Sequence, residues 1–305
     1  MKHFIDLADI KAAEFLDLLD LAVLLKQNQH TTASQRLAGK TLGMIFAKSS
    51  TRTRVSFEVG MYQLGGQALF LSTQDIQLGR GETIADTARV MSRFLDGIMI
   101  RTFSHQDVLD LARYGSVPVI NGLTDLMHPC QALADLLTVK ECFSSLKGLK
   151  MAYFGDGNNV AHSLLQAGAK TGMHLAVATP GEYACSKSIV AAACEEAEKN
   201  GGSISITEDP LEAAKDADVL YTDTWVSMGQ EDEKAARIKI FGDYQVNERL
   251  MALAKSHAIF LHCLPAYRGL EVSEAVIDGP ASRIFDQAEN RLHAQKAVLV
   301  RLMES

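Results

Sequence analysis

Along most of the chain, short uninterrupted apolar runs alternate with stretches whose hydrophobic residues recur three or four positions apart. Residues 41–46 read as a buried parallel strand, and 68–71, 97–100, 117–121, 150–154, 174–178, 218–222 and 258–261 as further strands. Between them the helical period takes over. Residues 9–26 place Phe15, Leu18, Leu19 and Leu25 on one face, and Val55, Val59, Tyr62 and Leu64 continue a second helix until Gly65-Gly66 stops it. Further helices are expected over about 83–94, 106–114, 127–143, 210–217 and 288–303. The polar segments 72–83 and 231–239 read as a loop and a solvated face. This alternation predicts an α/β protein with parallel sheets, in which ligands bind beyond the carboxyl ends of the strands.

Composition narrows the classes. The 305 residues, 47% hydrophobic and 22% charged, suffice for two modest α/β domains. A net charge of −7 argues against nucleic acid or an anionic membrane as the partner. Five cysteines without a C-x-x-C pair suit a reducing cytoplasm better than a disulfide scaffold. The N-terminus, with Asp6, Asp9, Glu14, Asp17 and Asp20, reads as no signal peptide, and no apolar run is long enough to span a bilayer.

The chemistry-bearing residues collect just after the strands. Ser50, Thr51, Arg52 and Thr53 follow the first strand and open a helix, where free N–H groups and the positive dipole end favour an anion. A capped helix with two solvated arginines would use the same residues, but hydroxyls and guanidinium together fit a small phosphorylated substrate. No Gly-Lys-Ser/Thr is present, so this is no nucleotide P-loop. Arg101 ends the third strand, and His128, Pro129, Cys130 and Gln131 open a helix, with His128 and Gln131 three apart. Alone, His128 would be an ordinary cap or surface residue.

In the second half, Gly155-Asp156-Gly157-Asn158-Asn159 invites a dinucleotide reading. Val160 in place of the third glycine, and Thr179-Pro180 where a ribose-binding acid belongs, exclude it. The two asparagines are compatible with plain turn residues. Asp223 follows an apolar strand, where it can hold an ammonium or merely cap a turn, and Cys263 and Leu264 follow another. A zinc site from His128, Cys130, His262 and Cys263 lacks ordinary ligand spacing, so no metal or other cofactor is expected.

Ser50-Thr51-Arg52-Thr53-Arg54 resembles the carbamoyl-phosphate signature of the aspartate and ornithine carbamoyltransferases. His128-Pro129-Cys130-Gln131, Ser227-Met228-Gly229 and His262-Cys263-Leu264-Pro265 are similar to the ornithine branch of that family. The resemblance implies two doubly wound parallel-sheet domains with a cleft between them. The first, residues 1–143, would be completed by a C-terminal helix, 288–305, returning to it; the second would be 144–287. It implies transfer of the carbamoyl group of carbamoyl phosphate to the δ-amine of L-ornithine, in arginine biosynthesis before catabolism, by a homotrimer or multiple of trimers. Carbamoyl phosphate would be held by Ser50, Thr51, Arg52, Thr53, Arg101, His128, Pro129, Cys130, Gln131 and Arg291, and by Gln77 reaching into a neighbouring subunit. Ornithine would be held by Asn159, Asp223, Ser227, Met228, Cys263 and Leu264, with Arg101, His128 and Cys263 taking part in catalysis. Ser227-Met228-Gly229 speaks against aspartate as acceptor, and Asp223 would be idle with putrescine; N-acetylornithine stays open.

Overall fold

The computed structural model describes residues 1–29, 35–73, 81–226 and 231–304. The chain divides into two compact units, Met1–Leu137 with Glu289–Ser305, and Thr138–Ala288.

The first unit runs α1 (Ala12–Gln27), β1 (Thr41–Phe46), α2 (Thr51–Gln63), β2 (Gln67–Ser72), α3 (Ile84–Met91), β3 (Gly97–Arg101), α4 (His105–Tyr114), β4 (Val119–Leu123) and the start of α5 (Pro129–Phe143). Its four strands are parallel in the order β2-β1-β3-β4. The chain therefore leaves β1 in opposite directions to its two neighbours, and the crevice outside β1 and β3 is the natural ligand position. Phe46 pairs with Arg101, so the two ends lie level. Ile45, Ile98, Ile100, Val108, Leu111 and Val119 form a core on one face of the sheet.

The second unit continues with β5 (Lys150–Phe154), α6 (Asn159–Thr171), β6 (His174–Ala178), α7 (Lys187–Asn200), β7 (Ser203–Thr207), α8 (Pro210–Ala214), β8 (Val219–Thr222), α9 (Lys234–Phe241), α10 (Glu248–Leu253), β9 (Ile259–His262), α11 (Glu274–Ile277) and the first turn of α12 (Ile284–Met303). The parallel order β7-β6-β5-β8-β9 repeats the reversal, here between β5 and β8. Phe154, Leu220, Phe241 and Phe260 anchor its core. From Glu289 onward α12 belongs to the first unit, as the returning helix required.

The differences from the expected elements have simple causes. β4 starts later than expected because Pro118 cannot donate to the ladder, and it runs through Asn121, whose amide donates to the Ile5 carbonyl (3.0 Å). The last helix begins at Ile284, a turn before the expected start. Residues 187–207, unassigned by pattern, form α7 and the edge strand β7, where small and polar residues hide the period. The run 231–239, expected to be solvated, is helical from Lys234 and buries Arg237.

Candidate active-site residues

In the first unit the sites lie where β1 and β3 end. Ser50 is the N-cap of α2: its backbone is extended and its hydroxyl accepts from the Thr53 N–H (3.2 Å). Thr51, Arg52 and Thr53 occupy the first turn, so their side chains surround the free N–H groups of the helix. Thr53 is buried and Arg52 half-exposed. Arg54 turns away, paired with Glu58 (3.0 Å) and stacked on Phe70.

Arg291, buried on α12, joins these groups to α5. Its Nη1 donates to Gln131 Oε1 (2.7 Å), its Nη2 reaches Thr53 Oγ1 (3.4 Å), and its Nε donates to Gln295 (3.0 Å). Gln131 in turn donates to buried Asp135 (2.7 Å). His128 sits just before α5, and burial, then Arg291 and Arg101, push its pKa well below 6.5. It is a neutral imidazole at physiological pH, able to donate one N–H. Three cationic or donor groups from β3, α5 and α12 thus converge near the start of α2. Pro129 is the first residue of α5. The Cys130 thiol turns into the core towards the Asn121 carbonyl (3.4 Å), and burial pushes its pKa up to about 12. A ligand would meet the backbone of Cys130, not a thiolate.

In the second unit Asp223 is the hub. Its Oδ2 accepts from Asn158 Nδ2 (2.9 Å), and its Oδ1 accepts from the Thr224 N–H (2.7 Å) and the Cys263 thiol (2.9 Å). These residues come from the ends of β5, β8 and β9, which lie side by side. Asn158 is also the N-cap of α6, its Oδ1 accepting from Val160 and Ala161, while Asn159 opens the helix. Gly155 and Gly157 allow this turn to pack tightly. Gly155 has φ +128°, and a Cβ on Gly157 would lie 2.3 Å from the Cys185 nitrogen.

Cys263 and Leu264 are held by His262. Its Nδ1 accepts from the Leu264 N–H (2.9 Å), so its proton is on Nε2, facing buried Glu271 (3.2 Å). Asp223, His262 and Cys263 stand close enough to share an ion. With both imidazole nitrogens committed, His262 offers no lone pair, and the group fits a metal poorly. Gln77, Ser227 and Met228 lie outside the described residues.

Residues 2–141 match the family model described as aspartate/ornithine carbamoyltransferase, carbamoyl-P binding domain, and residues 147–302 the one described as the Asp/Orn binding domain. The chain belongs to the aspartate/ornithine carbamoyltransferase family. The chain is 59% identical to the ornithine carbamoyltransferase of Anoxybacillus flavithermus, over 99% of this chain and 96% of that protein. It is 57% identical to that of Thermococcus kodakarensis, over 97% and 95% of the two chains. Among solved structures, the ornithine carbamoyltransferase of Pyrococcus furiosus superposes with a TM-score of 0.95 at 54% identity, covering 99% of this chain and 97% of that one. The anabolic ornithine carbamoyltransferase of Campylobacter jejuni superposes with a TM-score of 0.93 at 45% identity, covering 99% of both.

Two residues escaped the sequence reading. Lys48 lies two residues before the Ser50 motif and is buried, paired with Asp125 (2.6 Å) and set over the Phe103 ring (3.9 Å). Asn158 looked like a turn residue, and only the structure aims its amide at Asp223. Its position directly before a helix marked the cap, but nothing local marked the second partner.

Proposed function

We propose that this chain transfers the carbamoyl group of carbamoyl phosphate to the δ-amine of L-ornithine, forming citrulline and phosphate, in the synthetic direction. The observation that carries the reading is Arg291, which gathers Thr53 and Gln131 beside the N-terminus of α2. Carbamoyl phosphate is a small dianion with one carbonyl, and it calls for this combination of helix N–H groups, hydroxyls and guanidinium.

In this reading Ser50, Thr51, Arg52 and Thr53 hold the phosphate, with Gln77 added from a neighbouring subunit. Arg101, neutral His128 and Thr53 donate to the carbonyl oxygen as negative charge builds on it, and Arg291 and Gln131 fix its other edge. Losing one such donor typically costs about 10²–10³ in rate. Pro129 and Cys130 line the carbamoyl group through their backbone. Arg52 and the helix dipole then stabilise the departing phosphate. Carbamoyl phosphate is already activated, so no enzyme nucleophile is needed.

Ornithine is bound by its α-ammonium at Asp223 and by Asn159, Ser227, Met228 and Leu264. The δ-amine must be neutral to attack. A primary amine of pKa about 10.4 is only ~0.1% neutral near pH 7.5, a penalty of roughly 4 kcal/mol. Because the Cys263 thiol donates its hydrogen bond to Asp223, its sulfur presents lone pairs that orient an amine N–H.

A homotrimer, or a multiple of it, is supported by apolar side chains that the first unit leaves exposed: Val55 and Tyr62 on α2, Leu69 and Phe70 on edge strand β2, and Phe94. Cytoplasmic residence is supported by five unpaired cysteines. The decisive test is a citrulline assay with carbamoyl phosphate and, in turn, ornithine, putrescine, N-acetylornithine and aspartate. Turnover confined to ornithine is expected; equal or better turnover with another amine overturns the assignment.

A further inference from the structure

Arg237 has no part in the scheme above, yet it is an almost fully buried arginine on α9 whose guanidinium is bonded along every edge. Its Nε donates to the Trp225 carbonyl, its Nη2 to the Asp156 carboxylate, and its Nη1 to the carboxylate of exposed Glu233 (3.3 Å). The guanidinium lies against the Tyr183 ring (4.5 Å to the centroid) and near Phe241 (5.4 Å), and Trp225 stacks on Phe241 (6.0 Å, 21°). Asp156 and Trp225 belong to the two turns that carry the amino-acid side of the site. Asp156 sits two residues before Asn158, whose N–H it accepts (2.8 Å), and Trp225 sits two residues after Asp223. The Asn158–Asp223 hydrogen bond ties the turns directly, and Arg237 is a second polar tie between them.

We propose that Arg237 is a positioning residue for the amino-acid substrate: by clamping the 155–158 turn to the 223–225 turn it holds Asn158 and Asp223 in their binding geometry. A planar fork suits this task, because three acceptors in fixed directions must be met at once. Lysine, a point charge, can satisfy one of them well. The environment agrees: burial pushes Asp156 up to about 6, Arg237 opposes that rise, and the charge on Asp223 adds to it. Without the guanidinium, Asp156 would face Asp223 with no counter-charge and the turns would spread.

The inference rests on the proposed reaction, and one set of measurements separates the two. In Arg237→Met the KM for ornithine should rise about tenfold or more while that for carbamoyl phosphate stays within about twofold. Trp225 is the only tryptophan (1 in the chain), so its emission should shift to the red and become more open to acrylamide quenching. Arg237→Lys should recover part of the lost ornithine affinity. Asp156→Asn should reproduce the loss, and the double variant should be no worse than the worse single one, as expected of one shared interaction. These two milder substitutions carry the test if Arg237→Met fails to fold. A folded Arg237 variant with unchanged ornithine KM, equal loss for both substrates, or unchanged Trp225 emission overturns the proposal. Absence of citrulline from the unsubstituted chain overturns instead the proposed reaction.

Discussion

Replacing Asp223 by asparagine separates binding from folding because the protein's own donors hold the carboxylate yet leave acceptor capacity on Oδ2 for a substrate ammonium. Its two oxygens meet three donors: Asn158 Nδ2, the Thr224 N–H and the Cys263 thiol. An asparagine oxygen in the Oδ1 position keeps the last two. Its amide nitrogen then faces the Asn158 amide nitrogen, and Asn158 cannot flip because its oxygen is held by Val160 and Ala161 (2.9 and 3.2 Å). One mismatched buried donor costs about 1–3 kcal/mol. Removing the negative charge offsets part of this, since Asp223 raises the buried Asp156 carboxyl. The variant is therefore expected to lose up to about 2 kcal/mol of stability and remain folded. The loss in binding is larger in effect. A charge-assisted hydrogen bond to an ammonium contributes about 1.5–3 kcal/mol, so the ornithine KM should rise roughly 10- to 150-fold. Steady-state kinetics with each substrate varied in turn, beside thermal unfolding, measures both. Equal weakening of ornithine and carbamoyl phosphate, or unchanged ornithine KM, would show that Asp223 only ties the two turns together.

Arg52→Met should raise the carbamoyl phosphate KM and lower turnover by about 10²-fold in a folded protein; normal kinetics would remove Arg52 from the phosphate site. The ornithine KM should fall steeply from pH 7 towards 9 as the amine loses its proton, and His128 cannot be the source, since its pKa lies well below 6.5. That depressed pKa stabilises the fold fully above pH 6.5, and the contribution is lost as pH falls towards the folded-state value, so acid unfolding of His128→Gln should set in at lower pH; an unmoved transition would refute this. Gln77→Ala and Arg52→Ala chains should each be strongly impaired, and unfolding and reassembling them together should restore activity in mixed trimers. Mixed trimers confirmed by native mass spectrometry that show no gain would place Gln77 in its own subunit or outside the site.

The chain announces its own architecture. Uninterrupted apolar runs such as Thr41–Phe46 and Lys150–Phe154 have no polar face to give to water, so parallel strands covered by helices follow from local pattern alone. The anion site proposed at Ser50 is equally local: cap, dipole and hydroxyls are contiguous in sequence. Edge elements were less legible, because β7 alternates between serine and isoleucine half in water and α7 is built of small residues that mark no clear face. What tertiary structure alone decided is partnership. Arg291 lies far along the chain from Thr53 and Gln131, and Asp223 from Asn158 and Cys263, and nothing local specifies which donor an acceptor will meet. Arg237 carries the same lesson most sharply. Among the charged residues of 231–239 it reads as one more solvated side chain, and it is buried only because the fold brings Asp156, the Trp225 carbonyl and Tyr183 to surround it. A charge leaves water only where its counter-charge and hydrogen-bond partners are assembled in advance, and that assembly is a property of the packed sheet ends, not of the neighbouring sequence.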